Sequence, residues 1–272
     1  MIDEFSTSID VMSDQDIQVE LDVQTVERVN FASAQNDVAV LKSITLRNLN
    51  EAPLTDVSIT LTSAPPILRE KTWRIDRIRF GSAVEIGDLA APLDVARLAG
   101  LDEAETGELI FEVKTDGKLI LTIRRRIELL ARDEWGGLGD MAHLLAAFVS
   151  PNDPLIAKVL KDASQLLERS GQDGSLDGYQ SGDPRRVWML AGAIWSAATA
   201  MGLSYAVPPA SFERAGQKIR GPGRIASEGL ATCLDSALLL AAAFEAAGLN
   251  PTMLFSQGHA WVGVWLAKRD FG

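Results

Sequence analysis

The sequence predicts an α+β chain of two domains, an antiparallel β-sandwich followed by a domain of helices and strands. Its 272 residues are enough for two domains of ordinary size. Apolar and polar side chains alternate up to about residue 131, which is the period of β-strands. Beyond Trp135 the apolar residues recur at helical spacing. This change of period predicts domains over residues 1–133 and 134–272.

The alternating runs of the first domain are short and are separated by turn signals. Clear runs begin at Ile17, Val57 and Leu109. Asp116-Gly117, which follows the third run, has the composition of a two-residue hairpin turn. Short strands joined by such turns are typical of an immunoglobulin-like sandwich. We expect Trp73 in its core, where tryptophan is most often used in such a fold.

Three segments of the second domain have helical spacing, and two of them carry start signals. Asp153-Pro154 and Asp183-Pro184 place an N-cap residue before a first-turn proline, which predicts helices over 154–169 and 184–201. The third segment, 138–149, contains His143. No other candidate catalytic group is near this histidine in sequence, so we expect it to be a structural or partly exposed residue.

Charge and composition exclude several classes of function. The net charge is −11, and the only compact basic cluster, Arg124–Arg126, is better explained as a charged edge strand than as a nucleic-acid surface. Residues 187–207 carry no charge, but Gly202 and Pro208 favour a buried helix and a strand over a membrane span. The N-terminal residues hold no apolar signal segment. Since a single cysteine cannot form an internal disulfide, we expect a cytoplasmic protein.

The sequence predicts neither a cofactor nor a metal. It contains no phosphate-binding glycine loop of the G-x-x-x-x-G-K type and no cysteine–histidine set that could hold zinc. The acidic loop 172–184 lacks the ligand spacing and the final glutamate of an EF-hand.

The chain's only cysteine stands at a predicted helix start. Thr232 and Asp235 are spaced as a capping box around Cys233, and Gly248 supplies the stop about 15 residues later. The amino end of a helix favours the thiolate that a nucleophile needs, whereas the charge of Asp235 opposes it. Two short strands are predicted after the helix, over residues 252–255 and 259–266, and His259 begins the second. These residue types fit a nucleophile with its base, but equally a small buried cysteine near an unrelated histidine.

The segment from Pro208 to Leu266 resembles the transglutaminase-like superfamily, whose domain has a papain-like cysteine-enzyme fold. The resemblance rests on Cys233 with Asp235 at a helix start and on His259-Ala260-Trp261 at a strand start. It implies an α+β domain in which Cys233 and His259 are catalytic.

A wider resemblance covers ELLARDEWGG from Glu128, LDGYQSGDP from Leu176, PPASFE, TCLD and GHAWVGVWL. These segments are similar to the N-terminal region of very large bacterial proteins that carry a superfamily I helicase, often with a Vsr-like endonuclease, and are implicated in anti-phage defence. The resemblance implies that this chain is the N-terminal part of such a protein and that the helicase holds the ATP and DNA sites. The partners it implies are the rest of that chain and a protein or peptide.

The sequence departs from the superfamily pattern at two places. Ala231 stands where the motif usually has glycine. The third member of the triad, an aspartate or asparagine beyond the histidine, has only Asp270 as a candidate, so the acid either is Asp270 or lies beyond a domain truncated at its C-terminus. Gln217 is a candidate donor to an oxyanion.

Two functions follow from the sequence. One is a cysteine hydrolase or acyltransferase that acts on amide or ester bonds. The other is a non-catalytic scaffold that keeps the fold and binds a protein partner.

Overall fold

The chain is of the mixed α+β class, as predicted, and divides into two compact units, Met1–Arg132 and Asp133–Gly272. The computed structural model describes residues 17–269. The N-terminal segment, where no signal peptide was expected, and Asp270 lie outside the described residues.

From residue 17 onward, unit 1 contains two sheets and two short helices. One sheet has the order β1-β3-β6, and the other has the order β2-β8-β7-β4-β5. Pairing is antiparallel except between β2 and β8. The elements are β1 (Val19–Thr25), β2 (Arg28–Val29), α1 (Phe31–Gln35), β3 (Leu41–Asn48), β4 (Leu54–Ala64), β5 (Lys71–Ile78), β6 (Ala83–Glu85), α2 (Val95–Ala99), β7 (Glu105–Thr115) and β8 (Lys118–Leu129).

Both sheets of unit 1 contribute to one buried cluster. Leu21 and Ile44 reach it from the three-stranded sheet, and Ile59 and Phe111 from the five-stranded sheet. Alternation explains this, because every second side chain of a strand points to the same face. Trp73 is buried as expected, and its Nε1 donates to the Asp88 carbonyl at 2.6 Å.

The predicted hairpin turn joins β7 to β8. Thr115 pairs with Lys118, which leaves Asp116 and Gly117 as the two turn residues, with φ of 47° and 74°. Two successive positive φ values define the turn that matches the twist of a hairpin, and this explains the choice of aspartate followed by glycine.

Unit 2 combines helices with several two-stranded pairings. Its elements are β9 (Glu134–Trp135), a 3₁₀ helix (Ala142–Phe148), α3 (Pro154–Arg169), α4 (Pro184–Thr199), β10 (Ser204–Tyr205), α5 (Phe212–Ala215), β11 (Gln217–Lys218), α6 (Pro222–Glu228), β12 (Leu230–Ala231), α7 (Cys233–Ala246), β13 (Pro251–Ser256) and β14 (His259–Val264).

The two predicted proline starts are confirmed. The Asp153 side chain accepts from the Leu155 amide at the start of α3, and the Asp183 side chain accepts from the Arg185 amide at the start of α4. Each aspartate thus satisfies an amide that has no partner within its helix.

Three predicted boundaries need correction. The segment expected as a helix over 138–149 forms the 3₁₀ helix, because Met141 provides no side-chain cap and Pro151 follows closely. The α4 helix ends at Thr199 rather than at residue 201, and β14 ends at Val264 rather than at residue 266. Within residues 17–269, none of the helices is both long and apolar enough to cross a bilayer.

The α7 helix is the element around which unit 2 packs. Its inner side chains join those of α3 and α4 in one buried cluster, and its first turns belong to a second cluster with Trp135, Phe212 and Ala260. The β13–β14 hairpin packs on α7, so both predicted catalytic residues belong to elements in mutual contact.

Candidate functional site at the start of α7

The first turn of α7 is closed by the predicted capping box. The Thr232 hydroxyl oxygen accepts from the Asp235 amide at 3.1 Å, and the Asp235 carboxylate accepts from the Thr232 amide at 2.9 Å. Cys233 is therefore the first residue of a 14-residue helix whose starting geometry is fixed on both sides.

The charge of Asp235 is paired inside the protein. Its buried carboxylate accepts from the Arg220 backbone amide at 2.9 Å and from Arg220 Nη1 at 3.2 Å. Arg220 also donates through Nε to Glu228 at 3.0 Å. Because the guanidinium offsets the negative charge of Asp235, this carboxylate opposes a thiolate at Cys233 less than it would alone.

Cys233 is buried, with 6% of the residue exposed, and a tyrosine lies near its thiol. The short β10 strand runs parallel to β12 and places Tyr205 opposite Ala231, two residues before the cysteine. Desolvation and the Cys233 thiol, which is close enough for a hydrogen bond, raise the pKa of Tyr205. Much of the tyrosine is exposed, and its side chain lies near the Cys233 thiol.

Ala231 does not disturb the approach to the helix. The left-handed turn that precedes α7 is made two residues earlier by Gly229, with φ of 63°, where it also caps α6. Ala231 is buried in β12, so the left-handed residue of this segment is Gly229 and position 231 is extended.

His259 lies at the end of the β13–β14 hairpin and is exposed. It pairs with Ser256 across a turn formed by Gln257 and Gly258. Its ring stacks on Trp261, with ring centroids 5.6 Å apart and an interplanar angle of 28°. Residues two apart in a strand share a face, so the histidine and Trp261 lie on the outer face of β14.

The neighbouring Ala260 points the other way and packs beside the cysteine. It is buried in the same cluster as Cys233 and Leu234. The structure thus brings the start of β14 to the start of α7, with the His259 ring on the strand face opposite Ala260.

Gln217 is held directly beside the capping box. Its side chain is buried, and Nε2 donates to the Thr232 hydroxyl at 3.0 Å. Its Oε1 is buried without a hydrogen-bond partner among the described residues. The β9–β11 pairing positions it, because Gln217 lies opposite Trp135. Gln217 is a sequence candidate for an oxyanion donor. In the structure it bonds to Thr232, the residue directly before the nucleophile candidate Cys233.

A pocket of about 630 Å³ opens beside Gln217 and Thr232. Its wall combines small apolar residues with charged ones, among them Ala206, Pro209, Glu134, Lys218, Arg220 and Arg224. The pocket reaches the capping residue Thr232, and its lining includes neither Cys233 nor His259.

Glu213 is the functional candidate that sequence reasoning missed. It lies in the PPASFE segment, but the resemblance gave that glutamate no role. In the structure it is buried, and its Oε2 accepts from the Gly258 amide at 3.3 Å, next to His259. Only the tertiary fold reveals this proximity, because 45 residues separate the two in sequence.

His143 stands apart from this site. It is exposed in the 3₁₀ helix and lines a separate, largely apolar pocket of about 580 Å³ together with Glu245. Between residues 17 and 269, no group of three or more histidine, cysteine, aspartate or glutamate side chains is arranged to hold a metal ion.

The comparisons with known proteins leave the family open: no protein-family model and no curated protein matches this chain. The chemistry must therefore be argued from the site. A lone thiol at a capped helix start, with a histidine on the neighbouring strand, can support nucleophilic attack and proton transfer.

Proposed function

We propose that unit 2 is a transglutaminase-like cysteine hydrolase or acyltransferase, and that unit 1 is an immunoglobulin-like sandwich. Cys233 Sγ attacks an amide or ester carbonyl, and its proton passes to His259. The carbon–nitrogen or carbon–oxygen bond of the substrate then breaks, and the imidazolium returns the proton to the leaving group. Water or an amine takes the acyl group from sulfur in the second half of the reaction.

The observation that carries this proposal is the construction of the first turn of α7. The thiol lies at the positive end of a 14-residue helix, and the adjacent carboxylate of Asp235 is already paired with Arg220. The Cys233 amide belongs to the same turn and supplies a donor for the oxyanion of the tetrahedral intermediate.

His259 contributes as the base when its ring turns from Trp261 toward the thiol. Ala260 belongs to the same buried cluster as Cys233, and the proposal requires the His259 ring to leave Trp261 on the outer face of β14 and to reach the thiol on the Ala260 side. Side-chain rotation of an exposed residue is fast compared with ordinary turnover.

The resemblance extends the proposal to a biological setting. We infer that the chain belongs to the N-terminal part of a cytoplasmic bacterial defence protein with a helicase and a nuclease. Its substrate or partner is then a protein or peptide, and nucleic acid binds elsewhere in the larger chain. The net charge of −11 supports the placement of the nucleic-acid site elsewhere, because a negative surface repels phosphates.

The test is the pH dependence of iodoacetamide labelling at Cys233, the only cysteine. An ordinary thiol ionises near pH 8.5, so its labelling slows about tenfold for each pH unit well below that value. We expect the wild type to keep labelling at pH 6 and His259→Ala to lose at least about tenfold in rate there, while the two proteins agree at pH 9. His143→Ala is the matched control and should follow the wild type.

A non-catalytic scaffold is the second candidate function. The buried sulfur and the outward stacking of His259 on Trp261 favour it, because a packing cysteine needs no base. Identical pH profiles for the wild type and His259→Ala, both steep below pH 8, would establish this alternative and remove the enzyme.

A further inference from the structure

Glu213 is a buried carboxylate with few partners in the described part of the chain. Only 7% of the residue is exposed. Oε2 accepts one hydrogen bond of 3.3 Å from the Gly258 amide, and Oε1 lies 4.0 Å from the Nε atom of the exposed Arg214. A buried carboxylate is ordinarily paired more closely than this, because burial of an uncompensated charge is costly.

The backbone holds this glutamate in place. Leu138 donates to the Glu213 carbonyl at 2.7 Å, and Ser211, two residues earlier, has the left-handed φ of 56°. Gly137 runs so close to the Arg214 carbonyl that a Cβ there would lie 2.3 Å from its oxygen. A side chain on such an enclosed segment has a defined position, which a positioning residue requires.

The carboxylate faces the turn that carries His259. Gly258 directly precedes the histidine, and consecutive Cα atoms are about 3.8 Å apart, so the charge lies near the histidine backbone. No titratable residue is present in β13. The charged or titratable groups on the other elements packed against this strand start are Glu213, Arg214, Cys233, Asp235 and Glu245.

Of these groups, Glu213 is the one placed to act on the imidazole. Asp235 is engaged by Arg220, and Glu245 lies at the opposite end of α7. Arg214 is exposed and has the wrong charge to stabilise an imidazolium.

We propose that Glu213 is the positioning residue of His259 and takes the part of the acid in the site. When the ring turns toward Cys233, one ring nitrogen donates to the Glu213 carboxylate and the other faces the thiol. The carboxylate then selects the ring orientation and stabilises the imidazolium that forms when the thiol gives up its proton. The inference rests on the proposed function of Cys233 and His259.

The first experiment follows the histidine ring directly. The chain contains two histidines, so the ring carbon signals of His259 and His143 can be assigned with the His259→Ala variant. If Glu213 pairs with the ring, Glu213→Gln moves the titration midpoint of His259 to lower pH, since an opposite charge nearby favours the protonated ring. Glu213→Asp, which keeps the charge, should restore part of that shift.

Two internal controls accompany this titration. The His143 signal should titrate as in the wild type and also reports that each variant is folded. Glu168→Gln, which removes an exposed charge from α3, should leave His259 unchanged. Equal His259 midpoints in the wild type and Glu213→Gln would overturn the proposal.

Cysteine labelling separates this inference from the proposed function. We expect Glu213→Gln to slow labelling at pH 6 about threefold to tenfold, and His259→Ala with Glu213→Gln to be no slower than His259→Ala alone. If His259→Ala leaves labelling unchanged while Glu213→Gln still shifts the His259 midpoint, the catalytic proposal fails and the pairing of Glu213 with His259 stands. An additive slowing in the double variant would show that Glu213 acts independently of the histidine and would overturn its positioning role.

Discussion

The start of α7 and the start of β14 place their polar side chains in different surroundings. At α7, Thr232 and Asp235 are buried and engaged in hydrogen bonds, and Cys233 is enclosed with them. At β14, the ring of His259 lies in solvent against the half-exposed Trp261. The comparison shows that the nucleophile half of the candidate site is built into the core, whereas the base half lies on the surface.

The buried half should be the fragile one. Asp235→Ala removes a fully buried carboxylate, which leaves the Arg220 and Thr232 backbone amides without their acceptor and the Arg220 guanidinium with Glu228 alone. Loss of one member of a buried ion pair typically costs about 3–5 kcal/mol, so we expect the free energy of unfolding to fall by roughly that amount. Urea denaturation measures it, and a loss below about 1 kcal/mol would contradict the rigid start of α7.

The two faces of β14 provide a sharper comparison within one strand. Ala260 is buried beside Cys233, so Ala260→Leu should overpack the cluster and reduce the free energy of unfolding by about 1–3 kcal/mol. Trp261→Ala, on the outer face, should change it by less than about 1 kcal/mol. A larger loss of stability in Trp261→Ala than in Ala260→Leu would show that the outer face of β14 is part of the core.

The smallest effect on stability is expected at Glu228, the exposed partner of Arg220, and this effect depends on pH. Hydrogen bonds from Arg224 and Arg220 lower the pKa of Glu228. A lowered pKa means that this carboxylate contributes stability above its unfolded-state pKa and loses the contribution as pH falls through its folded-state pKa. Glu228→Gln should therefore lower the urea midpoint slightly at pH 7.

A measurement of Glu228→Gln at low pH provides the control for this prediction. As pH falls through the lowered pKa of Glu228, the wild type also acquires a neutral group at this position, so the urea midpoints of the wild type and Glu228→Gln should converge. A gap that stays constant over the same pH range would show that hydrogen bonding rather than charge is responsible.

Local signals in the sequence were sufficient for much of the fold. The aspartate–proline starts of α3 and α4, the Asp116-Gly117 hairpin and the capping box around Cys233 all depend on residues a few positions apart. Such features could be predicted because a cap or a turn is decided within one or two peptide units.

Contacts across the chain could not be predicted in this way. Strands of only two residues bring Tyr205 and Gln217 to the α7 start, and two-residue runs carry no measurable period. The approach of Glu213 to Gly258 likewise depends on how α5 folds under the hairpin. The 3₁₀ helix shows a different limit of sequence-based prediction. Its apolar spacing is that of an α-helix, but no side chain caps its start.

Burial of the only cysteine makes its labelling rate a measure of local opening. A reagent reaches Sγ when the residues around it or the first turn of α7 move aside, so the observed rate is the product of an opening equilibrium and the intrinsic reactivity of the thiol. An opening that costs about 2.8 kcal/mol would slow every reagent about a hundredfold at any pH. Reagents of increasing size should therefore report the amplitude of that opening, as amide hydrogen exchange does for the backbone.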